Sequence, residues 1–240
     1  MLELSGVTKS FGGLTAVDDV SFTIGEGELV GLIGPNGAGK TTLFNAINGI
    51  SPPDAGSVRF GGAPITGLKP NEICRRGVVR TFQIVRTFDE STVLENVLTG
   101  AVFGSGADRS MVEAEERARE AISFVGLDEH VETEAHHLTM ADRKHVELAR
   151  ALACDPKLLM LDEIGSGLTP AEIETLTETI ERIRDEQGVS VLWIEHVVEA
   201  IMGSTDRILV LNEGALLADG EPSEIKQNDR VLEAYLGDSV

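Results

Sequence analysis

A glycine-rich segment that ends in lysine and two threonines, residues 34–42, carries the clearest chemical signal in the 240-residue chain. It fits the pattern G-x-x-x-x-G-K-[ST], whose backbone N–H groups cradle the phosphates of a nucleoside triphosphate. The apolar run 29–33 predicts a buried strand before it, and residues 42–47 predict a helix after it. This order favours phosphate binding over a plain turn, because glycine permits close backbone approach and a helix N-terminus carries partial positive charge. The predicted binding residues are Gly34, Pro35, Asn36, Gly37, Ala38, Gly39, Lys40, Thr41 and Thr42.

Two residues of this segment have more specific predicted roles. Lys40 is expected to reach the β- and γ-phosphates, and the Thr41 hydroxyl is expected to ligate Mg²⁺. The alternative is a glycine-rich turn whose lysine points into water.

Two adjacent carboxylates, Asp162 and Glu163, follow the apolar run 158–161. In P-loop enzymes an aspartate at such a position holds Mg²⁺, so Asp162 is the candidate metal ligand. Glu163 is then placed to polarise an attacking water. The alternative is a pair of acids at an exposed strand end, which is common in a chain this acidic.

Two further polar residues follow predicted strands. His196 comes after the apolar run 191–194, and Gln83 comes after residues 78–82, which are predicted to form a strand. Ligands of parallel sheets bind at the carboxyl ends of the strands. His196 is therefore a candidate to hydrogen-bond the γ-phosphate and the attacking water, and Gln83 to ligate Mg²⁺ or water. The alternatives are a structural histidine and a surface glutamine.

The elements that must position these residues alternate between strands and helices. Residues 2–8 and 17–24 have the alternation of strands and are separated by Gly12-Gly13. Further strands are predicted at 57–60, 157–161 and 190–194, with helices at 70–76, after Pro170 and at 197–202. A hairpin is predicted from 207–211 and 216–219. Alternating strands and helices indicate an α/β fold with a largely parallel sheet.

The stretch 91–153 has a different pattern, with predicted helices at 93–103, 111–125 and 138–153 and no strand pattern. We expect a single domain spanning 1–240. Its core would comprise 1–90 and 154–240, and 91–153 would form an inserted helical subdomain.

The chain is strongly acidic, with 40 Asp and Glu residues against 20 Lys and Arg residues and a formal net charge of −20. This charge argues against nucleic acid as a partner. We hypothesise adaptation to a salty cytoplasm, where salt screens self-repulsion. No apolar run is long enough to span a membrane, so a soluble intracellular chain is expected. Cys74 and Cys154 are expected to be reduced thiols.

The chain resembles the ATP-binding subunits of ABC transporters over essentially its whole length, in particular those of the branched-chain amino-acid importer group. The resemblance implies a P-loop NTPase ABC ATPase core with an N-terminal antiparallel β region and an inserted α-helical subdomain. The segments that carry it, besides residues 34–42 and 162–163, are VTKSFGGLTAV (7–17), RTFQ (80–83), TVLENV (92–97) and IEH (194–196).

The resemblance also implies residue roles. Phe11 would stack on adenine, Gln83 would be the Q-loop sensor and His196 the switch histidine. Asp162 and Glu163 would be the Walker B pair. Residues 166–169 match the D-loop, although Ile164 stands where proline is usual.

The family signature, Leu-Ser-Gly-Gly-Gln, aligns with LTMAD at residues 138–142 and matches it poorly. In the family this segment clamps ATP that is held by the opposite subunit. Thr139 keeps a hydroxyl and can cap the helix, but Met140 and Ala141 replace the glycines. The negative charge of Asp142 would repel a triphosphate, and each close contact between like charges would cost about 1–4 kcal/mol. The sequence leaves open whether the clamp is weakened or the geometry tolerates the change.

The resulting expectation is an ATP-hydrolysing importer subunit that uses ATP and Mg²⁺ and lies peripherally on the inner face of the cell membrane. Its partners would be permease subunits, a second ATPase subunit or a copy of itself and, indirectly, a solute-binding protein. One alternative is a nucleotide-dependent interaction module with weak or no hydrolysis. A P-loop kinase or GTPase is disfavoured, because the chain has no guanine-selecting Asn-Lys-x-Asp motif.

Overall fold

The computed structural model describes residues 1–81, 87–105, 109–195 and 197–236.

The first sheet is small and antiparallel. The first two strands are linked by a turn at Gly12-Gly13, and the strand order is β2-β1-β4-β5. Its strands are β1 (Leu2–Phe11), β2 (Leu14–Ile24), β4 (Ala55–Phe60) and β5 (Ala63–Pro64). The predicted N-terminal antiparallel β region is therefore confirmed.

The second sheet has six strands in the order β10-β9-β3-β8-β7-β6. Every neighbouring pair is parallel except β9 and β10, which form the predicted hairpin. Every residue of β3, β7 and β8 is buried, as expected for a parallel sheet covered on both faces. The strands are β3 (Leu29–Ile33), β6 (Val78–Arg80), β7 (Leu158–Asp162), β8 (Ser190–Ile194), β9 (Arg207–Asn212) and β10 (Ala215–Gly220).

Helices lie between strands along the chain, and two more follow β10. The longest described helix, α6, begins after Thr169 as predicted. It starts with a capping box: the Thr169 hydroxyl accepts from Glu172 N–H, the Glu172 carboxylate accepts from Thr169 N–H, and Pro170 is the first helical residue. The helices are α1 (Lys40–Ile47), α2 (Pro70–Cys74), α6 (Pro170–Gln187), α7 (Val198–Ser204), α8 (Pro222–Ile225) and α9 (Asp229–Leu236).

The described part of the stretch 91–153 contains three helices, as predicted: α3 at Val93–Phe103, α4 at Met111–Phe124 and α5 at Met140–Ala153. Single 3-10 turns lie at Asp128–His130 and Ala135–His137. Within the described part of this stretch there is no strand, only an isolated bridge between residues 92 and 134. The apolar stripe of α4 is buried and packs on α3 and α5.

Several predicted boundaries were wrong by a few residues. β1 extends to Phe11, and β2 begins at Leu14. These two residues pair with each other beside the turn although both side chains are exposed, so the alternation of buried and exposed residues does not mark the strand ends. α5 begins at Met140 rather than 138, because Thr139 has extended backbone and acts as its N-cap. α2 ends at Cys74 rather than 76, where the backbone turns towards β6.

Across the ranges that the structure describes, no helix combines the length and apolarity needed to cross a membrane.

Candidate functional site

The glycine-rich loop lies between β3 and α1, and two of its glycines have no room for a side chain. A Cβ on Gly34 would lie 2.2 Å from the Leu211 carbonyl oxygen, and one on Gly39 would lie 2.3 Å from the Ala16 carbonyl oxygen. Gly34 and Gly39 also have φ values of 154° and 101°, which side chains rarely adopt. The loop is thus held tightly between the end of β9 and the β1–β2 hairpin.

The N-terminus of α1 is open to an anion. Gly39 is its N-cap and supplies no side-chain hydrogen bond, and the first turn of this eight-residue helix has no acidic residue. The first backbone N–H groups of a helix have no partner within the helix, and the dipole adds partial positive charge. This end of α1 therefore suits a phosphate group.

Lys40 is buried and turned into the loop. Its Nζ donates to the Gly34 carbonyl at 2.6 Å and to the Pro35 carbonyl at 3.1 Å. Burial lowers the pKa of Lys40, whereas the charges of Glu163 and then Asp162 act to raise it. The structure therefore brings together the lysine and both carboxylates, which are far apart in the sequence.

Asp162 has a partner that the sequence reasoning missed. Arg80 Nη2 lies 2.6 Å from Asp162 Oδ2, and both side chains are almost completely buried. A second Arg80 nitrogen donates to Asn45 Oδ1 at 2.7 Å, which fixes the guanidinium between α1 and β7. The sequence did contain a signal for Arg80, because it is a charged residue at the end of the buried strand β6. The rule that had selected Gln83, a polar residue at the end of a predicted strand, applies to Arg80 as well.

Glu163 is buried and has a φ of 50°, a conformation that costs a residue with a side chain about 1–3 kcal/mol. Its N–H donates to the Ile194 carbonyl at 2.9 Å, which ties the end of β7 to β8. Backbone strain that the surrounding structure maintains is concentrated at functional sites.

Glu195 was also missed. Its Oε1 accepts from Gly165 N–H at 2.7 Å, and a Cβ on Gly165 would lie 2.3 Å from that oxygen. Glu195 is buried and thereby positions the turn after Glu163. The rule that selected His196, a polar residue directly after a buried strand, would have selected Glu195 as well.

Other predicted site residues are Thr41, Thr42, Phe11, Gln83 and His196. Thr41 is exposed beside Lys40, and Thr42 is half-buried. Phe11 is 52% exposed at the end of β1. It pairs with Leu14 at the tip of the hairpin whose Ala16 carbonyl approaches Gly39. Gln83 and His196 lie outside the described residues.

The signature-like segment forms the N-terminus of α5. Thr139 is the N-cap: its hydroxyl accepts from Asp142 N–H at 3.1 Å and donates to Asp142 Oδ2 at 2.6 Å. The predicted cap is confirmed, and Asp142 is the third residue of α5. Met140 is 51% exposed at the same helix end. Thr139 and Asp142 are thus bonded to each other within this chain.

The cradle around residues 34–40 fits a triphosphate, and the Thr41 hydroxyl and Asp162 carboxylate are hard oxygen donors of the kind that Mg²⁺ prefers. A parallel sheet, a glycine loop leading into a helix, and carboxylates on a neighbouring strand define a P-loop nucleoside triphosphatase.

Comparison of the sequence with known protein families identifies the family within this class. The model of the family described as "ABC transporter" matches residues 17–166, and the model "Branched-chain amino acid ATP-binding cassette transporter" matches residues 215–240. The chain therefore belongs to the ABC transporter family and has its ATP-binding cassette. It is an ATPase.

Relatives match over the whole chain. The high-affinity branched-chain amino acid transport ATP-binding protein LivG of Salmonella typhimurium is 42% identical, covering 100% of this chain and 98% of the relative. BraF of Pseudomonas aeruginosa, with the same description, has the same identity and coverage.

Solved structures share the fold. A nucleotide-free ATP-binding cassette from an ABC transporter superposes with a TM-score of 0.87 at 31% identity, covering 98% of each chain. A dimeric post-hydrolysis cassette bound to ADP and Pi has a TM-score of 0.81 at 26% identity, covering 92% of this chain and 99% of the other. The alternative of a non-hydrolysing interaction module is not favoured.

Proposed function

We propose that this chain is the ATP-hydrolysing subunit of an importer for branched-chain amino acids or a related small solute. The hydrolytic part rests on Lys40, which lies within electrostatic reach of Glu163 and Asp162. The loop above it has no room for a side chain at Gly34 and Gly39. The solute is proposed because the relatives that match over the whole chain serve branched-chain amino acid transport, and because residues 215–240 match the branched-chain amino acid cassette family.

The residues divide the work of hydrolysis. Backbone N–H groups of Asn36, Gly37 and Gly39 and of the α1 N-terminus hold the phosphates. Lys40 exchanges its bonds to loop carbonyls for bonds to phosphate oxygens. Glu163 accepts a hydrogen bond from the attacking water and orients it. Phe11 offers its exposed ring to the base.

Thr41 and Asp162 would hold Mg²⁺, which when bound neutralises developing charge on the phosphoryl oxygens. Gln83 as a ligand of the metal or its water, and His196 as a hydrogen-bond donor to the γ-phosphate, complete the proposed site.

We divide the single domain of 1–240 into a core of 1–90 and 154–240 and a helical subdomain of 91–153. The three helices, and the absence of a strand from the described residues between β6 and β7, support this division. Two cassettes, this chain with a second ATPase subunit or with its own copy, would close around ATP and open after hydrolysis, a population shift driven by ligand binding. The dimeric cassette with a similar fold supports this arrangement.

A groove between core and helical subdomain is the proposed docking site for permease subunits. It has a volume of about 590 Å³ and is lined by parts of α2, β6, α3 and α5. Three of the exposed large apolar side chains, Ile50, Phe88 and Phe103, line it. Exposed apolar patches of this kind mark interaction sites. Docking there would hold the chain on the inner face of the membrane, with the solute-binding protein reached only through the permease.

The transport assignment is tested by producing the chain together with permease subunits, a second ATPase subunit and a solute-binding protein of the same importer group from the same genome, and measuring uptake of labelled leucine. We expect uptake that excess isoleucine or valine suppresses and that Glu163→Gln abolishes. The matched control is Glu174→Gln, an exposed change on α6. Uptake of a different solute would overturn the solute assignment, and leucine uptake that survives Glu163→Gln would overturn the coupling to hydrolysis.

We also propose that the two ATP sites of a heterodimer are unequal. Asp142 places a carboxylate at the α5 N-terminus, where it opposes the triphosphate held by the other subunit, and the Met140 side chain occupies the same helix end. The nucleotide held by this chain faces the partner's signature and is hydrolysed faster.

Glu163→Gln in this chain should therefore remove most of the ATPase activity of the purified heterodimer, whereas the equivalent change in the partner should remove little. Asp142→Gln, which removes the charge, should raise the smaller rate. Equal losses from the two glutamate changes would refute the inequality.

A further inference from the structure

The two cysteines of the chain, far apart in sequence, lie side by side in the fold. Cys74 ends α2 in the core, and Cys154 is the C-cap residue of α5 at the end of the helical segment. Their thiols are hydrogen-bonding neighbours that line one groove, and the Cys154 thiol also donates to the Arg150 carbonyl at 3.4 Å. Sulfur atoms in such contact can be joined with only small side-chain rotations, provided the backbones are held at the required spacing.

Backbone hydrogen bonds hold the two segments together. Gly77 N–H donates to the Cys74 carbonyl at 2.8 Å, and the Gly77 carbonyl accepts from Lys157 N–H at 2.8 Å and from Leu158 N–H at 3.0 Å. Cys154 N–H donates to the Ala151 carbonyl at 3.2 Å. The contact between the thiols is therefore built into the start of the β6–β7 pair.

The two thiols differ in access and in acidity. Both line the groove of about 590 Å³, but Cys74 is half-buried and Cys154 is 8% exposed. The hydrogen bond with Cys154 lowers the pKa of Cys74 to about 7, against the opposite effect of burial and with help from the charge of Arg75. The hydrogen bond with Cys74 and burial raise the pKa of Cys154. Since the thiolate is the reactive form, Cys74 is the attacking group.

We propose that Cys74 and Cys154 form a thiol-oxidation site that small disulfides reaching the groove convert to an intrachain disulfide. The Cys74 thiolate attacks one sulfur of the small disulfide, which gives a mixed disulfide and releases one small thiolate. Cys154 sulfur then attacks Cys74 sulfur and expels the second small thiol, which takes the Cys154 proton. The two cysteines lose two electrons, and the small disulfide is reduced to two thiols. The product covalently joins α2 to the end of α5, across one side of the groove.

The test treats the reduced, full-length protein with oxidised glutathione and measures its intact mass and its peptide map. We expect the loss of two hydrogens, a Cys74–Cys154 linked peptide, no retained glutathione, and reversal by dithiothreitol. Cys154→Ser should stop the reaction at a stable glutathione adduct on Cys74. Cys74→Ser should react many-fold more slowly, because its remaining thiol is buried.

The wild-type measurement decides the site even if a serine variant folds poorly, and the corresponding alanine variants repeat the comparison. A stable glutathione adduct on the wild-type protein, disulfide-linked dimers, or two unmodified thiols would each overturn the intrachain disulfide. Equal reaction rates for Cys154→Ser and Cys74→Ser would overturn the assigned order of attack. The proposal does not depend on the solute or on the permease.

Discussion

Four charged residues at the nucleotide site form one buried cluster. Lys40 and Arg80 supply the positive charges, and Asp162 and Glu163 supply the negative ones. Charges removed from water are tolerated when they are paired and hydrogen-bonded. The cluster explains how the loop, β6 and β7 keep their geometry before a nucleotide binds: each carboxylate has a cation near it.

Arg80→Met is predicted to destabilise the nucleotide-free protein by about 3 kcal/mol, because it leaves the Asp162 carboxylate buried without its guanidinium partner. Bound magnesium nucleotide supplies positive charge at the same carboxylate, so the deficit should shrink when Mg-ATP is present. Thermal unfolding with and without Mg-ATP measures this, with the exposed Arg76→Met as control. A deficit that is the same in both conditions would show that Arg80 stabilises something other than Asp162.

At the scale of elements, α5 links the signature-like segment to the sheet. Lys144 on this helix is only 1% exposed. Burial lowers the pKa of Lys144, while the charges of Glu147 and then Glu195 act to raise it. Glu195 in turn accepts from Gly165 N–H beyond β7. Lys144, Glu147 and Glu195 thus form one buried group of charges. This group joins α5 to the end of β8 and to the turn after Glu163.

Lys144→Met is predicted to lower the free energy of unfolding by about 3–5 kcal/mol, since two buried carboxylates lose a compensating cation. Lys157→Met, at an exposed position just beyond α5, should change it by less than about 0.5 kcal/mol. Urea unfolding of both variants makes the comparison. Equal, small effects would mean that Lys144 is not part of a buried charge group.

The elements were largely predictable because their signals are local. Glycine spacing, the capping box at Thr169 and the apolar runs before Asp162 and His196 each fix a nearby backbone shape. Arg80 with Asp162, Lys144 with Glu195, and Cys74 with Cys154 were not predictable in this way. Each pair joins distant segments, and only the strand order and the packing of α5 decide which of them meet.

On the scale of the whole molecule, the dominant feature is the net charge of −20. Excess like charge destabilises the compact state through self-repulsion. Salt reduces the range of this repulsion from about 10 Å at 0.1 M to about 3 Å at 1 M. Exposed ion pairs such as Arg182–Glu186 weaken under the same conditions, but each contributes only about 0–1 kcal/mol.

We therefore predict that the free energy of unfolding is larger in molar KCl than in dilute buffer, as expected for a protein adapted to a salty cytoplasm. Urea unfolding at both salt levels measures it, with sucrose as a control for general solute effects. A free energy of unfolding that stays constant or falls with KCl would contradict salt adaptation.

Lys40 and the carboxylates of Asp162 and Glu163 are predicted to act together on one bound Mg-ATP. The most direct measurement compares Mg-ATP affinity with ATP turnover in Lys40→Ala and Glu163→Gln. We predict that Lys40→Ala loses binding, whereas Glu163→Gln keeps its affinity and loses turnover by at least about 100-fold. Normal affinity in Lys40→Ala would show that Lys40 does not hold the nucleotide, and normal turnover in Glu163→Gln would show that Glu163 does not act in hydrolysis.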